Sequence, residues 1–208
     1  TDSPDVRGID VAVLYNPLTF RPDTSYSIRV SPPKGQRPTR DILCVRGHSR
    51  RHVPMEIFAL HSPSRSGGPE ITENYRVAVV DTLIDNLPDF TKGKNAIVAG
   101  DFNDYSRDKS VRKLSTVLHE VSKDVRGLTY KNSGIKGTYF YQGEWGSLDH
   151  IFVSPSLTET VKECYIFDRE WLLERNASGN LVPFRTFRGH IYNKGVSDHL
   201  PLVLRLDL

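Results

Sequence analysis

Cysteine is scarce in this chain: there are two among 208 residues, Cys44 and Cys164. They lie far apart and form no C-x-x-C pair, so neither a zinc site nor redox chemistry is signalled. Both stand in apolar stretches, Ile42-Leu43-Cys44-Val45 and Cys164-Tyr165-Ile166-Phe167, and read as buried free thiols. No apolar run approaches the length of a membrane span. The opening residues, Thr1-Asp2-Ser3-Pro4-Asp5, read as neither a signal nor a transit peptide. Secreted, periplasmic and cytoplasmic locations all stay open. Neither sign of charge dominates: 28 Lys and Arg stand against 25 Asp and Glu, a net +3. That balance permits a polyanionic substrate without requiring one. Internal repeats, low-complexity tracts and interdomain linkers are also missing. Residues 1–208 therefore read as a single domain with a real core, of ordinary composition for a globular protein.

What is present is an interleaving of strand and helix patterns. Val11-Ala12-Val13-Leu14-Tyr15 is an apolar run closed by Asn16-Pro17, the pattern of a strand buried on both faces. Residues 20–40 are polar and proline-rich and read as an irregular edge segment. Asp41 to Arg46 and Met55 to His61 form two apolar runs around a basic stretch, a hairpin with an exposed tip. Pro63 to Pro69 reads as a loop. The apolar spacing of Tyr75, Val79, Val80, Leu83, Ile84 and Leu87 predicts a helix over 70–87, ended by Pro88. Ala96 to Ala99 predicts a buried strand, and Ser110 to Val121 a second helix. Strands are expected at 137–141, 151–153, 164–167 and 200–206. The order favours a mixed-sheet α/β fold.

Three short motifs close or open strands, and each carries an aspartate: Ala99-Gly100-Asp101-Phe102-Asn103-Asp104, Ser147-Leu148-Asp149-His150-Ile151-Phe152-Val153-Ser154 and Ser197-Asp198-His199-Leu200-Pro201. Polar groups at strand ends are how an open α/β sheet builds an active site. Asp101 at a strand end can orient or deprotonate water, and the Asn103 amide can donate to a phosphoryl oxygen. Taken alone, Asp-Phe-Asn also reads as a turn, since these residue types favour turns. Asp198-His199 offers a metal ligand and an imidazole on neighbouring positions, which point to opposite faces of a strand. A catalytic histidine needs a carboxylate to fix its tautomer, and Asp149 is the natural candidate. His150 beside it faces away and is left outside the site. His61 follows the apolar run Ile57-Phe58-Ala59-Leu60, and on its own reads equally as a structural strand-end histidine. Arg65, in a Gly-rich loop, can contact phosphate; as a lone residue it reads as solvated. Together the motifs point to metal-assisted attack of water on a phosphoester.

These blocks resemble the endonuclease/exonuclease/phosphatase superfamily, whose members include pancreatic deoxyribonuclease, abasic-site endonucleases, neutral sphingomyelinases and inositol polyphosphate 5-phosphatases. The matching segments are Gly8 to Tyr15, Leu60 to Arg65, Gly100 to Asn103, Leu148 to Ser154 and Ser197 to Pro201. They span nearly the whole chain. Gly143-Glu144-Trp145-Gly146 and Pro183-Phe184-Arg185-Thr186-Phe187 are similar to a bacterial branch of the Bacteroidetes type. The resemblance implies a deoxyribonuclease-I-like fold, a four-layer α/β sandwich of two mixed β-sheets. It implies Mg²⁺, with Mn²⁺ or Ca²⁺ as alternatives, and a phosphoester substrate that includes nucleic acid among its classes.

The resemblance also implies roles. Asp101 would activate the attacking water and Asn103 would steady the phosphoryl group. His199, paired with Asp149, would act as acid, base or electrostatic clamp. Asp198 would ligate the metal or lie close to a ligand. His61 matches a second acid of the deoxyribonuclease branch, and Arg65 would bind substrate. In relatives, two further strands precede the Gly8–Tyr15 block, one of them ending in Gln-Glu with the principal Mg²⁺ ligand. Residues 1–7 are too short to form them, so the expectation is a chain lacking its N-terminal strands. Such a chain would pair with another chain or with the missing piece. Two other classes stay in view: a binding or scaffold protein without chemistry, and a phosphomonoesterase acting on a small or lipid-linked phosphate. A metal-free hydrolase using Ser197 finds no G-x-S-x-G elbow in support.

Overall fold

The computed structural model describes residues 1–5, 8–127 and 135–208. Its strands are β1 (Phe20–Ile28), β2 (Ile42–Ser49), β3 (Pro54–His61), β4 (Ala96–Asp101), β5 (His119–Glu120), β6 (Tyr139–Tyr141), β7 (Glu144–Gly146), β8 (Asp149–Val153), β9 (Val161–Ile166), β10 (Leu173–Arg175), β11 (Leu181–Pro183), β12 (Phe187–Arg188), β13 (Ile191–Tyr192) and β14 (Leu202–Leu206). The α-helices are α1 (Pro69–Asp85) and α2 (Lys109–Leu114). A six-stranded sheet in the order β1-β2-β3-β4-β8-β5 forms the centre, and the pairs β6–β7, β9–β14, β10–β11 and β12–β13 form small antiparallel sheets.

The expected hairpin is β2–β3, antiparallel from Leu43↔Ala59 to His48↔Pro54. From β3 the chain passes through α1 and returns as β4, parallel to β3, the right use of a helix to join parallel strands. Tyr75, Val79, Val80 and Leu83 form the buried face of α1. They pack with Cys44, Phe58, Val98 and Phe152 from the sheet and with Val111 and Leu114 from α2. This is the main core. A second cluster holds Ile135, Ile166, Leu172 and Leu200, with Trp145 and Phe167 packed on it, and β14 lies against β8.

Several local expectations fail, each for a tertiary reason. Val11–Tyr15 is no strand: Val11 is buried, but Leu14 is 98% exposed. The Val11 backbone N–H and carbonyl bond to Thr1 rather than to a sheet ladder, and without a ladder an apolar run does not make a strand. Residues 20–28, read as irregular, form β1, an edge strand whose register shifts between Pro22 and Thr24. A proline is tolerated at such an edge. The helix expected over 110–121 stops at Leu114. The Ser115 hydroxyl donates back to the Val111 carbonyl and that of Thr116 to Lys113, while His119 and Glu120 are claimed by β8 as β5. Such back-bonding competes with the helix ladder. Trp171, for all its large apolar side chain, is 61% exposed, and it is the neighbouring Leu172 that is buried. Cys44 is buried and Cys164 only partly so; both are free.

Candidate active site

The sheet register assembles the centre. On adjacent strands His61 stands opposite Asp101 in the parallel β3–β4 pair, and Asp101 opposite Asp149 in the antiparallel β4–β8 pair. The row His61–Asp101–Asp149 thus crosses three strands at one sheet end. Gly100 permits the close approach: its φ is +152°, and a Cβ there would sit 1.9 Å from the Leu60 carbonyl oxygen. Glycine alone meets both conditions. His61 Nε2 lies 3.5 Å from Asp101 Oδ2.

His199 comes to this row from the strand-like segment before β14. A β-bridge ties its backbone to Tyr139, and Nδ1 lies 2.7 Å from Asp149 Oδ2. The Thr138 hydroxyl donates to the same oxygen. Thr138 was not singled out from the sequence, because a threonine before a strand carries no signal of what it will face. Asp101, Asp149 and His199 each offer a ligand atom, all within 4.8 Å of one another. Asp198 is exposed on the cleft wall and stands outside that group of three.

The electrostatics follow from burial of like charges beside one imidazole. Burial, with the neighbouring Asp149 charge, pushes the Asp101 carboxyl up to about 6, against the opposing pull of His199 and the Asn103 N–H. Burial disfavours the His199 cation, but the hydrogen bond and charge of Asp149, with Asp101 and Asp198, outweigh it and raise His199 to about 9. A histidine raised from 6.5 to about 9 on folding contributes stability that is complete below pH 6.5 and is lost as the pH climbs through 9. In EDTA, the unfolding free energy of the wild type, read from urea titrations, should therefore fall between pH 6.5 and 9 by about 2 kcal/mol more than that of His199→Asn. Parallel curves for the two proteins would show that Asp149 does not hold the imidazolium.

Asn103 is held at φ 51°, a left-handed conformation that asparagine tolerates better than most residues. Its backbone N–H donates to Asp101 Oδ1 at 2.7 Å and its Nδ2 to the Ser62 carbonyl at 3.0 Å. Beneath lies a buried charge network. Arg40 donates to the carbonyls of His61 and Ser62 and to Asp5. Asp104 receives Ser110 and pairs with Arg76 at 2.6 Å and Arg65 at 3.0 Å. Arg65 also pairs with Asp108 at 2.7 Å, so two carboxylates share the charge that the sequence reading aimed at substrate. His150 is fully buried, with Nδ1 on Glu120 and Nε2 on the Asp104 carbonyl, each at 2.8 Å, away from the centre as expected.

His61, Arg65, Asp101, Asn103, Asp149, Asp198 and His199 all line one cleft of about 850 Å³. Tyr105, Tyr139 and Tyr141 line it too. None of the three was flagged from the sequence: Tyr139 and Tyr141 stand in a strand-like run, where tyrosines look like core, and Tyr105 follows the Asp101 motif with no pattern of its own.

A family model described as the endonuclease/exonuclease/phosphatase family matches residues 1–207. Comparison with curated proteins gives no match. Among solved structures, a functionally unknown conserved protein of Enterococcus faecalis is similar at 15% identity and TM-score 0.64, over 93% of this chain and 69% of that one. A mannosyl-6-phosphatase of Bacteroides thetaiotaomicron is 20% identical with TM-score 0.59, over 91% of this chain and 68% of that one. A Bacteroides thetaiotaomicron protein of the same family description is 21% identical with TM-score 0.60, over 91% and 64% respectively. At these identities the likeness is one of fold.

Proposed function

The chain belongs to the endonuclease/exonuclease/phosphatase family, and from that membership and the cleft we propose that it is a metal-dependent phosphoester hydrolase. The observation that carries the reading is the convergence of Asp101, Asp149 and His199 from separate strand ends onto one cleft. A scaffold protein has no use for two part-buried carboxylates held beside an imidazole; a hydrolase does. In the same reading the six-stranded sheet is one of two mixed sheets of a deoxyribonuclease-I-like sandwich, and the β9–β14 pair belongs to the second.

The donor set fits a hard divalent cation: Asp101 and Asp149 present carboxylate oxygens, the ligand class of Mg²⁺, Mn²⁺ and Ca²⁺. When bound, such an ion neutralises phosphoryl charge and lowers the pKa of a water it holds. Asp198, on the cleft wall, supplies a further carboxylate nearby. The protein's own groups do the rest. Asp101, as a carboxylate on the cleft, orients and deprotonates the attacking water. His199, held protonated by Asp149, faces the developing charge of the phosphoryl oxygens and donates a hydrogen bond or its proton to them. Asn103 steadies the phosphoryl group, His61 serves as the second acid, and Arg65 adds positive charge at the cleft wall.

The test is hydrolysis of bis(p-nitrophenyl) phosphate and p-nitrophenyl phosphate by EDTA-treated protein resupplied with Mg²⁺, Mn²⁺ or Ca²⁺. Hydrolysis that appears only with metal is the expected result, and the better substrate separates diesterase from monoesterase. Folded protein that cleaves neither ester with any of the three ions would overturn the assignment.

A further inference from the structure

One wall of the cleft is aromatic, and its construction is more deliberate than chance exposure. β6 and β7 form a hairpin with Gln142 at φ 49° and Gly143 at φ 90°, the positive dihedrals of a tight two-residue turn matched to strand twist. Residues alternate across it. Phe140 meets Trp145 edge-on at 5.4 Å, and Trp145 packs on the second core, so that face is anchored. The opposite face carries Tyr139 and Tyr141, whose rings lie 16° from parallel with centroids 6.1 Å apart. Tyr139 is closed in: His199 lies 4.7 Å away, ring to ring, and the Arg185 guanidinium 5.5 Å from its centroid. Tyr141 is the outer ring, 60% exposed, and it lines the cleft. His199, Tyr139 and Tyr141 thus form a series of rings running from the reaction centre outward.

The hairpin also lacks a side chain where one would collide with Tyr105. Gly146 stands opposite Tyr139, and a Cβ there would sit 2.8 Å from the Tyr105 hydroxyl. Its absence seats Tyr105 against the hairpin, with Arg65 5.1 Å from the Tyr105 ring. Flat faces on a rigid hairpin, beside a phosphate-handling centre, suit a flat ring attached to that phosphate.

We infer that Tyr141, backed by Tyr139, is a stacking platform for a nucleobase carried by the phosphoester, and so a specificity-determining residue. The inference rests on the phosphoester reading of the same cleft. A base presents a face to any aromatic ring and gains by stacking without base-specific hydrogen bonds. The platform therefore selects nucleotides over simple phosphates and discriminates little among bases.

The test measures binding by titration calorimetry in Mg²⁺ buffer for wild type, Tyr141→Ala and Tyr141→Phe. The ligands are adenosine 5′-monophosphate, ribose 5-phosphate and a hexose 6-phosphate. The wild type should bind the nucleotide about tenfold more tightly than ribose 5-phosphate. Tyr141→Ala should erase that preference and Tyr141→Phe should keep it, since the ring does the work. Equal affinities in the wild type, tightest binding of the hexose phosphate, a preference that survives Tyr141→Ala, or no binding of any ligand would each overturn the platform. Metal-dependent ester hydrolysis is followed separately. A nucleotide preference without hydrolysis sinks only the hydrolase reading, and hydrolysis without the preference sinks only the platform.

Discussion

Replacing Asp101 by Asn should lower kcat for a phosphodiester about 10³-fold, the usual loss when a positioned base is removed, while leaving the protein more stable than the wild type at neutral pH. The second half of that expectation is the more informative. Burial and the Asp149 charge raise the Asp101 carboxyl to about 6, so the folded protein holds this proton more tightly than the unfolded chain does. The sign follows: below pH 3.8 Asp101 costs nothing, the cost grows as the pH rises from 3.8, and it is complete above about 6. Asparagine keeps the shape, and its Oδ1 can still accept the Asn103 N–H. In EDTA, the gain at pH 7.5 should be about 1–2 kcal/mol, partly offset because His199 loses one of its stabilising neighbours. Urea midpoints and kcat measured side by side decide the matter. Activity and stability falling together would make Asp101 a structural residue, whereas opposite signs mark a group kept for its chemistry.

The largest loss of stability should come from Asp104→Ala. Asp104 and Arg76 are each 1% exposed and paired at 2.6 Å. Their attraction need not exceed what burying both charges costs, but removing one partner strands the other. Without Asp104, the buried Arg76 keeps the Thr72 hydroxyl and the Pro69 carbonyl as its acceptors among the described residues. The expected cost is about 3–5 kcal/mol, which in a chain of this size lowers Tm by roughly 10 °C. A calorimetric or circular-dichroism melt reads it directly. The double variant Arg76→Met/Asp104→Leu should recover much of the loss, because apolar groups of similar volume carry no desolvation penalty. A double variant as unstable as the single would place the cost in geometry rather than in charge. Arg65 would survive with Asp108 as its partner, so the cleft wall should persist in the folded fraction.

Much of the centre was legible because strand ends announce themselves. A buried run that stops at a carboxylate, as Ala96-Ile97-Val98-Ala99-Gly100-Asp101 does, marks a candidate site although the same residues read alone as a turn, and the register then brings Asp101 beside Asp149 and His61. The supporting groups were not legible. Thr138, Arg40 and the buried Arg76 act through partners distant in sequence, such as Asp149, Ser62 and Asp104, and no local pattern encodes a partner. Tyr139 and Tyr141 were hidden for a related reason: alternation along β6 tells which residues share a face but not which face meets the core.

By itself the sequence determined the hairpin β2–β3, helix α1, the buried strand β4 and the residue types that meet at its end, because these depend on periodicity and on turn chemistry close along the chain. Only the tertiary structure decided the rest. Val11–Tyr15 has strand composition and no ladder; residues 115–120 have helical spacing, yet His119 and Glu120 pair with β8; Trp171 has a core side chain and lies in solvent. In each case the local preference is worth a fraction of a kcal/mol per residue. A backbone hydrogen-bond partner or a place in the packed core is worth more, and which segment obtains one is settled by the whole chain at once.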